Sequence, residues 1–393
     1  MDTIPGPMNG PNDDQEGIRT GASTLTDSVA AADEFCAQIQ QANITAAFVF
    51  CSTRYDRQVL GRRLAENLPG VLIIGCTTAG ELAPSGYRTG SLTGFSLAAP
   101  DFQVSAQVIE NLNSFELNRS QNIVQRNVNA LRSQDPTLDM TDLFGFLLID
   151  GLCHREEAVV SSLYSAMGQI PMFGGSAGDD LRFQKSFLLW DDVFRSDIAI
   201  QIMIGTHRPF RVFKTEHFTA TDRKMVITGT DPQQRIVYEI NGDPAGPEYA
   251  RLAGLDVDFL TPMIFAAHPV VVRVGGDYYV RSIQKVNPDH SLSFYCAVDE
   301  GIVLTVARSC DMLEDLKQQF DSLIKEIGPP QLLIGCDCIL RRLELENRRE
   351  ENQMSKILAA HNVIGFNTYG EQFQAMHVNQ TFTGVAIGSK PQT

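Results

Sequence analysis

A chain of 393 residues exceeds what one hydrophobic core ordinarily serves, so two domains are expected, and 43% hydrophobic residues with a mean hydropathy of -0.09 fit a water-soluble globular protein. The net charge of -15 repels nucleic acid and anionic lipid, and no apolar run approaches the ~20 residues that a membrane-spanning helix needs. The densest basic run, Arg341, Arg342, Arg348 and Arg349, is interleaved with glutamates at helical spacing and fits a solvated helix face. Eight scattered cysteines, mostly inside strand-like runs, fit reduced buried thiols better than a disulfide framework, as expected of a cytoplasmic protein.

Residues 1–24 are rich in Pro, Gly, Asn and acid, lack a signal-peptide pattern, and predict a disordered leader. From Asp27 to Ala42, apolar residues recur at helical spacing behind the capping candidates Asp27 and Ser28. Thr45 to Cys51 predicts a buried strand, Tyr55 to Leu68 a helix, and Val71 to Tyr87 a second strand that empties into a glycine-rich and hydroxyl-rich loop. Together they make a βαβ unit with parallel strands. Ser91 to Ala99 and Phe102 to Ile109 are separated only by Pro100 and Asp101, which predicts an antiparallel pair. Leu143 to Ile149 is a further buried strand, followed by a helix over Arg155 to Met167, a second glycine-rich loop over Pro171 to Asp180, and strands at Phe183 to Trp190 and Ile198 to Ile204.

After about Gly205 the pattern changes to short strands divided by turn residues, which predicts a meander. Leu313, Leu316, Phe320, Leu323 and Ile327 then form an apolar helical stripe that faces a core or a second subunit, so a homodimer is open. A long helix over Ile339 to Leu358 and strands at Val363 to Phe366 and Phe382 to Ile387 close the chain. The expected architecture is α/β to α+β. An N-terminal domain (25–205) has a mixed sheet and flanking helices, and a C-terminal domain (206–393) has an antiparallel meander and two long helices.

Catalytic and nucleotide motifs are sparse. Gly174-Gly-Ser176-Ala-Gly178 matches a nucleophile elbow, but a helix must follow the serine and the next residues alternate like a strand, which leaves a Ser176 hydrolase as the minor alternative. No P-loop, dinucleotide fingerprint or zinc spacing occurs, and C-x-x-C-H is absent. Non-covalent haem needs only one neutral imidazole in an apolar pocket, which seven histidines leave open.

Gly75-Cys-Thr-Thr-Ala-Gly-Glu81, Phe173-Gly-Gly-Ser-Ala-Gly-Asp-Asp180 and Gly365-Phe-Asn-Thr-Tyr-Gly-Glu371 together resemble the FIST sensory-domain family, in both its N-terminal and C-terminal parts. The resemblance implies a ligand-sensing module of bacterial signalling with no catalytic activity of its own. The stand-alone arrangement resembles the NosP branch, which implies haem b, nitric oxide as ligand, and regulation of a partner histidine kinase or cyclic-di-GMP enzyme. His217, His268 and His377, in that order, are the candidate axial ligands, with His217 the first choice as metal ligand. The alternative is a FIST module binding an amino acid or other small metabolite without haem, with Thr77, Glu81, Asp179, Arg281 and Glu371 offering polar and charged groups.

Overall fold

The computed structural model of the chain describes residues 17–116, 118–274 and 276–390. The first part comprises β1 (Ile18–Ser23), α1 (Ser28–Ile39), β2 (Ile44–Cys51), α2 (Arg57–Asn67), β3 (Leu72–Thr77), the hairpin β4 (Glu81–Ala83) and β5 (Gly86–Arg88), and β6 (Leu92–Ala98). The second repeats this order with β7 (Gln103–Glu110), α3 (Arg119–Gln134), β8 (Leu143–Ile149), α4 (Glu156–Met167), β9 (Met172–Ser176), the hairpin β10 (Leu188–Trp190) and β11 (Val193–Arg195), and β12 (Ile198–Gly205). A third copy starts at β13 (Phe210–Glu216) and is interrupted by β14 (Phe218–Asp231), β15 (Ile236–Ile240), β16 (Asp243–Pro244), α5 (Ala245–Ala253), α6 (Pro262–Ala267), β17 (Val270–Val274), β18 (Asp277–Arg281), β19 (Ile283–Val286), β20 (Leu292–Phe294) and β21 (Val303–Ser309). It resumes with α7 (Met312–Ile327), β22 (Leu332–Cys338), α8 (Ile339–Arg348), α9 (Glu351–Ala360), β23 (Val363–Thr368), the hairpin β24 (Glu371–Phe373) and β25 (Met376–Val378), and β26 (Thr381–Ile387).

Each part builds the same four-stranded order, β1-β6-β2-β3, β7-β12-β8-β9 and β13-β26-β22-β23, with the last two strands of each order parallel and the rest antiparallel. The parallel pairs follow from the helix that carries the chain back across the sheet between them. Each hairpin then leaves its own part. β4–β5 extends the third sheet beside β23, β24–β25 extends the second beside β9, and β10–β11 extends the first beside β3. The exchange is cyclic, so all three sheets are interlocked.

The inner faces of the three sheets share one apolar centre, where Phe50 stacks on Phe366 at 4.7 Å and Phe146 on Phe173 at 4.7 Å. The helices cover the outer faces: α1 and α2 the first, α3 and α4 the second, α7 and α9 the third. Burial of the sheets on both faces explains why β8, Leu-Phe-Gly-Phe-Leu-Leu-Ile, is apolar without alternation. Aspartates 27, 56 and 311 cap α1, α2 and α7 by accepting from the first-turn amides.

The mixed α/β architecture, the βαβ unit and the antiparallel meander agree with expectation; the meander is the inserted segment 218–309, which has its own core around Tyr249, Phe265 and Leu304. Other expectations need correction. β6 and β7 do not pair; they belong to different sheets, because the apolar face of each is needed at the shared centre. The helix expected over Ile339 to Leu358 breaks at Arg349, which adopts a left-handed backbone (φ 60°) and caps α8. Of the predicted leader, residues 1–16 lie outside the described residues, and Ile18–Ser23 is β1, paired with β6. The α7 stripe needs no correction: it faces this chain's own core, the first of its two expected positions.

Candidate ligand site

Three loops meet where the parts join, and each carries hydroxyl-x-Gly-acid: Thr78 to Glu81, Ser176 to Asp179 and Thr368 to Glu371. Their backbones are braided, with Ala79 N donating to Asn367 O (3.0 Å), Ser176 N to Gly370 O (2.8 Å) and Gly178 N to Thr77 O (3.0 Å). Glycine is required at each centre, since a Cβ on Gly80 would lie 2.3 Å from Arg342, on Gly178 2.6 Å from Ala79 N, and on Gly370 2.3 Å from His377.

The acids in these loops are structural. Glu81 accepts from Thr78 (2.6 Å) and from the hydroxyl and amide of Ser91, and Glu371 accepts from Thr368 and from the hydroxyl and amide of Thr381. Burial pushes their carboxyls up, to about 7 for Glu81 and about 8 for Glu371. Asp179 accepts from the amides of Phe183, Gln184 and Lys185 and from the Tyr369 hydroxyl, and Thr77 donates to Gly178 O at 2.7 Å. Four of the five residues expected to hold a small ligand are thus occupied by their own chain.

The hairpins differ in one respect. At the central cross-strand pair, the first carries Leu82 opposite Tyr87 and the second Leu189 opposite Phe194, whereas the third carries Gln372 opposite His377. The fold is satisfied by an aliphatic–aromatic pair, so the Gln–His pair answers another requirement. Gln372 Nε2 donates to Ser176 Oγ (2.9 Å) and to His377 Nδ1 (3.3 Å), which leaves the proton of the neutral ring on Nε2. Burial holds the imidazole below its ordinary pKa. His377 Nε2 and Gln372 Oε1 have no hydrogen-bond partner among the described residues, and the same is true of the side-chain amides of Asn379 and Gln380, Ser282 Oγ and Arg281 Nε. Arg281 Nη1 donates to His377 O at 3.3 Å, which ties the inserted segment to the hairpin. Glu156 and Glu157, at the start of α4, and Arg235 act on the ring electrostatically.

Arg281 and His377, expected for different ligands, therefore meet, with Gln372 and Asn379 beside the ring and the unsatisfied Ser282 and Gln380 next to them in sequence. A signal for it was present in the sequence: alignment of Gly75 to Glu81 with Gly365 to Glu371 sets His377 against Tyr87 and Gln372 against Leu82.

His217 and His268 lie elsewhere. Arg341 can only donate, so it occupies His217 Nδ1 at 2.9 Å, and the Nε2 proton goes to Glu344 at 2.9 Å. Neither ring nitrogen has a lone pair for iron, and burial lowers this imidazole to about 4. His268 caps α6, half-buried, with its carbonyl accepting from the Tyr249 hydroxyl. The clefts of about 870, 720 and 590 Å³ are walled by groups such as Asp150 and Lys185, Asp56 and Arg57, or Asp142 and Arg211, and none includes the three candidate histidines. Around His377 the walls are amides, a hydroxyl and a guanidinium, and its Nε2 carries the proton. A porphyrin requires an apolar slot and a free imidazole nitrogen, and these residues do not fit haem. Among the described residues no cluster of three or more His, Cys, Asp or Glu could hold a metal ion. Ser176 Oγ ends a strand with no helix after it and meets an amide rather than an imidazole.

Family comparison agrees with this layout. The FIST N domain matches residues 45–243 and the FIST C domain residues 245–374. The chain belongs to the FIST family. FIST domains are signalling sensors of the small-molecule-sensing type, often paired with histidine kinases or cyclic-di-GMP enzymes. The uncharacterized protein MJ1623 of Methanocaldococcus jannaschii is 22% identical over 364 residues, with 82% of this chain and 69% of that protein covered. Among solved structures, cyanuric acid hydrolase from A. caulinodans aligns with a TM-score of 0.39 at 8% identity (94% of this chain, 99% of that one), and a second cyanuric acid hydrolase structure with 0.36 at 9% (95% and 99%). No helix among the described residues is long and apolar enough to cross a membrane.

Proposed function

We propose that this FIST protein binds a small molecule rich in hydrogen-bonding groups, an amino acid or other polar metabolite, at the Gln372–His377 cluster, and reports occupancy by contact with a histidine kinase or cyclic-di-GMP enzyme, without catalysis of its own. The observation that carries this reading is the third hairpin. Where the other two place an aliphatic–aromatic pair, it buries polar groups whose atoms have no partner among the described residues. Each such group costs about 1–3 kcal/mol when left unmade, a burden that ligand binding relieves.

A thermal-shift screen of polar metabolites against wild type and the double variant Gln372→Leu/His377→Phe tests it. A compound that raises Tm only in wild type is the expected result, since a ligand at ~100 times its Kd adds ~2.7 kcal/mol. A compound that stabilises both proteins equally binds elsewhere and removes the assignment. Haem titration separates the nitric-oxide reading: a stoichiometric Soret band lost in His377→Leu would replace the metabolite with haem. Ester turnover abolished by Ser176→Ala would overturn the non-enzymatic reading.

A further inference from the structure

The cluster is closed to solvent: Asn379 is 0%, Gln380 1%, Ser282 0% and His377 2% exposed. A ligand therefore reaches it only if a wall moves. One wall is the hairpin β24–β25, fixed by pairing to β9 in the interlocked sheets. The other is the inserted segment 218–309, which is attached differently.

The insert has its own apolar core, drawn wholly from its own residues, and leaves the interlocked sheets through two adjacent crossings, His217 into β14 and Cys310 out of β21. The crossings are bonded to each other, Cys310 N donating to His217 O at 2.7 Å. α8 grips both from the fixed side: Arg341 and Glu344 hold the His217 ring, and Glu344 accepts from Ser309 Oγ at 2.7 Å. Paired strands held at one end are the geometry of a hinge.

Away from the hinge, the insert touches the rest through an apolar patch, in which Ala266 and Tyr295 pack with Phe183, Ile339, Leu340 and Cys338, through Arg281 on the His377 carbonyl, through the Tyr279 ring under the Lys214 ammonium, and through one buried ionic contact. In that contact Arg235, on the turn between β14 and β15, donates through Nη2 to Glu156 (2.7 Å) and Glu157 (2.8 Å) of α4, while Ala297 N donates to the other oxygen of Glu157 (2.6 Å). The contact is polar and small beside the insert's own core, the kind of boundary across which domains move.

We propose that segment 218–309 is a lid over the Gln372–His377 cluster, hinged at His217 and Cys310 and latched by Arg235 on Glu156 and Glu157; the assignment of a lid rests on that cluster being the ligand site. Opening breaks the latch and carries Arg281 and Ser282 away from His377. A bound ligand spans both walls, holds the lid shut, and turns occupancy into a lid position that a partner reads.

Native thiols report this motion. Cys296 lies in the insert beside the latch, within electrostatic reach of Arg281, Glu157 and Arg235, and Cys338 lies in the apolar patch under α6, whereas Cys36, Cys51 and Cys76 are buried in the first part. Iodoacetamide trapping resolved by mass spectrometry is expected to show, in the wild-type chain, a shallower urea dependence at Cys296 and Cys338 than at Cys51 and Cys76, because opening a lid exposes less surface than unfolding. Arg235→Leu is expected to speed both thiols about tenfold or more without changing Cys51 and Cys76. Glu157→Gln, which keeps an acceptor for Ala297, gives a smaller step in the same direction. Equal urea slopes at all these thiols in wild type, or no selective acceleration in Glu157→Gln, overturns the lid. Selective trapping with no metabolite stabilising the protein keeps the lid and removes the ligand reading; a stabilising metabolite with uniform trapping does the reverse.

Discussion

His217 and Glu371 show how burial of two titratable side chains makes opposite contributions to the pH dependence of stability. His217 is held neutral, first by burial and then by the facing Arg341, with its pKa lowered from 6.5 to about 4. Between those values the unfolded chain binds the proton and the fold does not, so this contribution is complete above about 6.5 and is lost as pH falls to about 4. Glu371 and Glu81 act in the other direction. Burial raises them from 4.5 to about 8 and about 7, so the folded state keeps protons that the unfolded state has released, and stability declines as pH rises from 4.5 toward 8. Glu371→Gln keeps an amide oxygen for Thr381 and an amide N–H for Thr368. It is expected to flatten the decline in urea midpoint between pH 5 and pH 8, with a gain over wild type at pH 8 on the order of a few kcal/mol. Parallel wild-type and variant curves would show that the carboxyl does not retain its proton. His217→Ala leaves one guanidinium nitrogen of Arg341 and one oxygen of Glu344 without their partner in the interior, while Arg341 keeps Asp337 and Glu344 keeps Arg348 and Ser309, a loss of about 1–3 kcal/mol in denaturant unfolding.

At the scale of elements, the exchanged hairpins carry the architecture, and their seats are tight. Gly86, at the tip of β4–β5, has φ 95°, and a Cβ there would lie 2.4 Å from Ser355 of α9, whose hydroxyl accepts from Tyr87 N at 3.1 Å. Gly86→Ala is expected to cost about 1–3 kcal/mol and to raise amide exchange in Glu81–Arg88 and in β23 more than in β2. The α7 stripe is equally specific. Leu316 and Phe320 are buried against β13 and β26 through Phe213 and Phe382, where Phe213 stacks on Phe382 at 5.9 Å. Leu316→Ala is expected to lose about 2–5 kcal/mol of unfolding free energy. Period and capping made α1, α2 and α7 legible from residues alone, because an amphipathic helix records its buried face locally. The hairpins were not legible. Three-residue strands carry little periodicity, and their partners lie far off in the chain: β4 pairs with β23, and β24 with β9.

At the scale of the whole molecule, the cyclic exchange makes the first two parts depend on the third. The second sheet takes its outer hairpin from residues 371–378, and hairpin 81–88 docks on β23 at Gly365 and Phe366. Residues 17–205 expressed alone are therefore expected to lack a cooperative unfolding transition in near-UV circular dichroism, and to regain it when coexpressed with residues 206–393. A cooperative fragment would show that the exchanged hairpins are dispensable. The family model boundary between residues 243 and 245 falls inside the inserted segment.

The residues by themselves determined most element types, the mixed α/β class and the family markers, since helical period, capping aspartates, turn glycines and composition act over a few neighbours, although the strand expected from Phe183 begins only at Leu188. They also contained an internal repeat, in Gly75 to Glu81 and Gly365 to Glu371, where Gly75 and Gly365 each let a parallel neighbour's carbonyl approach to 1.8 Å of where a Cβ would stand. Only the tertiary structure decided which polar residues are in use. Glu81, Asp179, Glu371 and His217 look available in the sequence, yet each is satisfied by groups that the chain brings from tens or hundreds of residues away or across a tight turn. Gln372, His377, Asn379 and Gln380 look no different, and remain open because their hairpin is docked under an insert that offers them Arg281 and Ser282 but few partners. Hydrogen-bond satisfaction is a property of packed surroundings, and surroundings are set by chain crossings that local pattern does not encode.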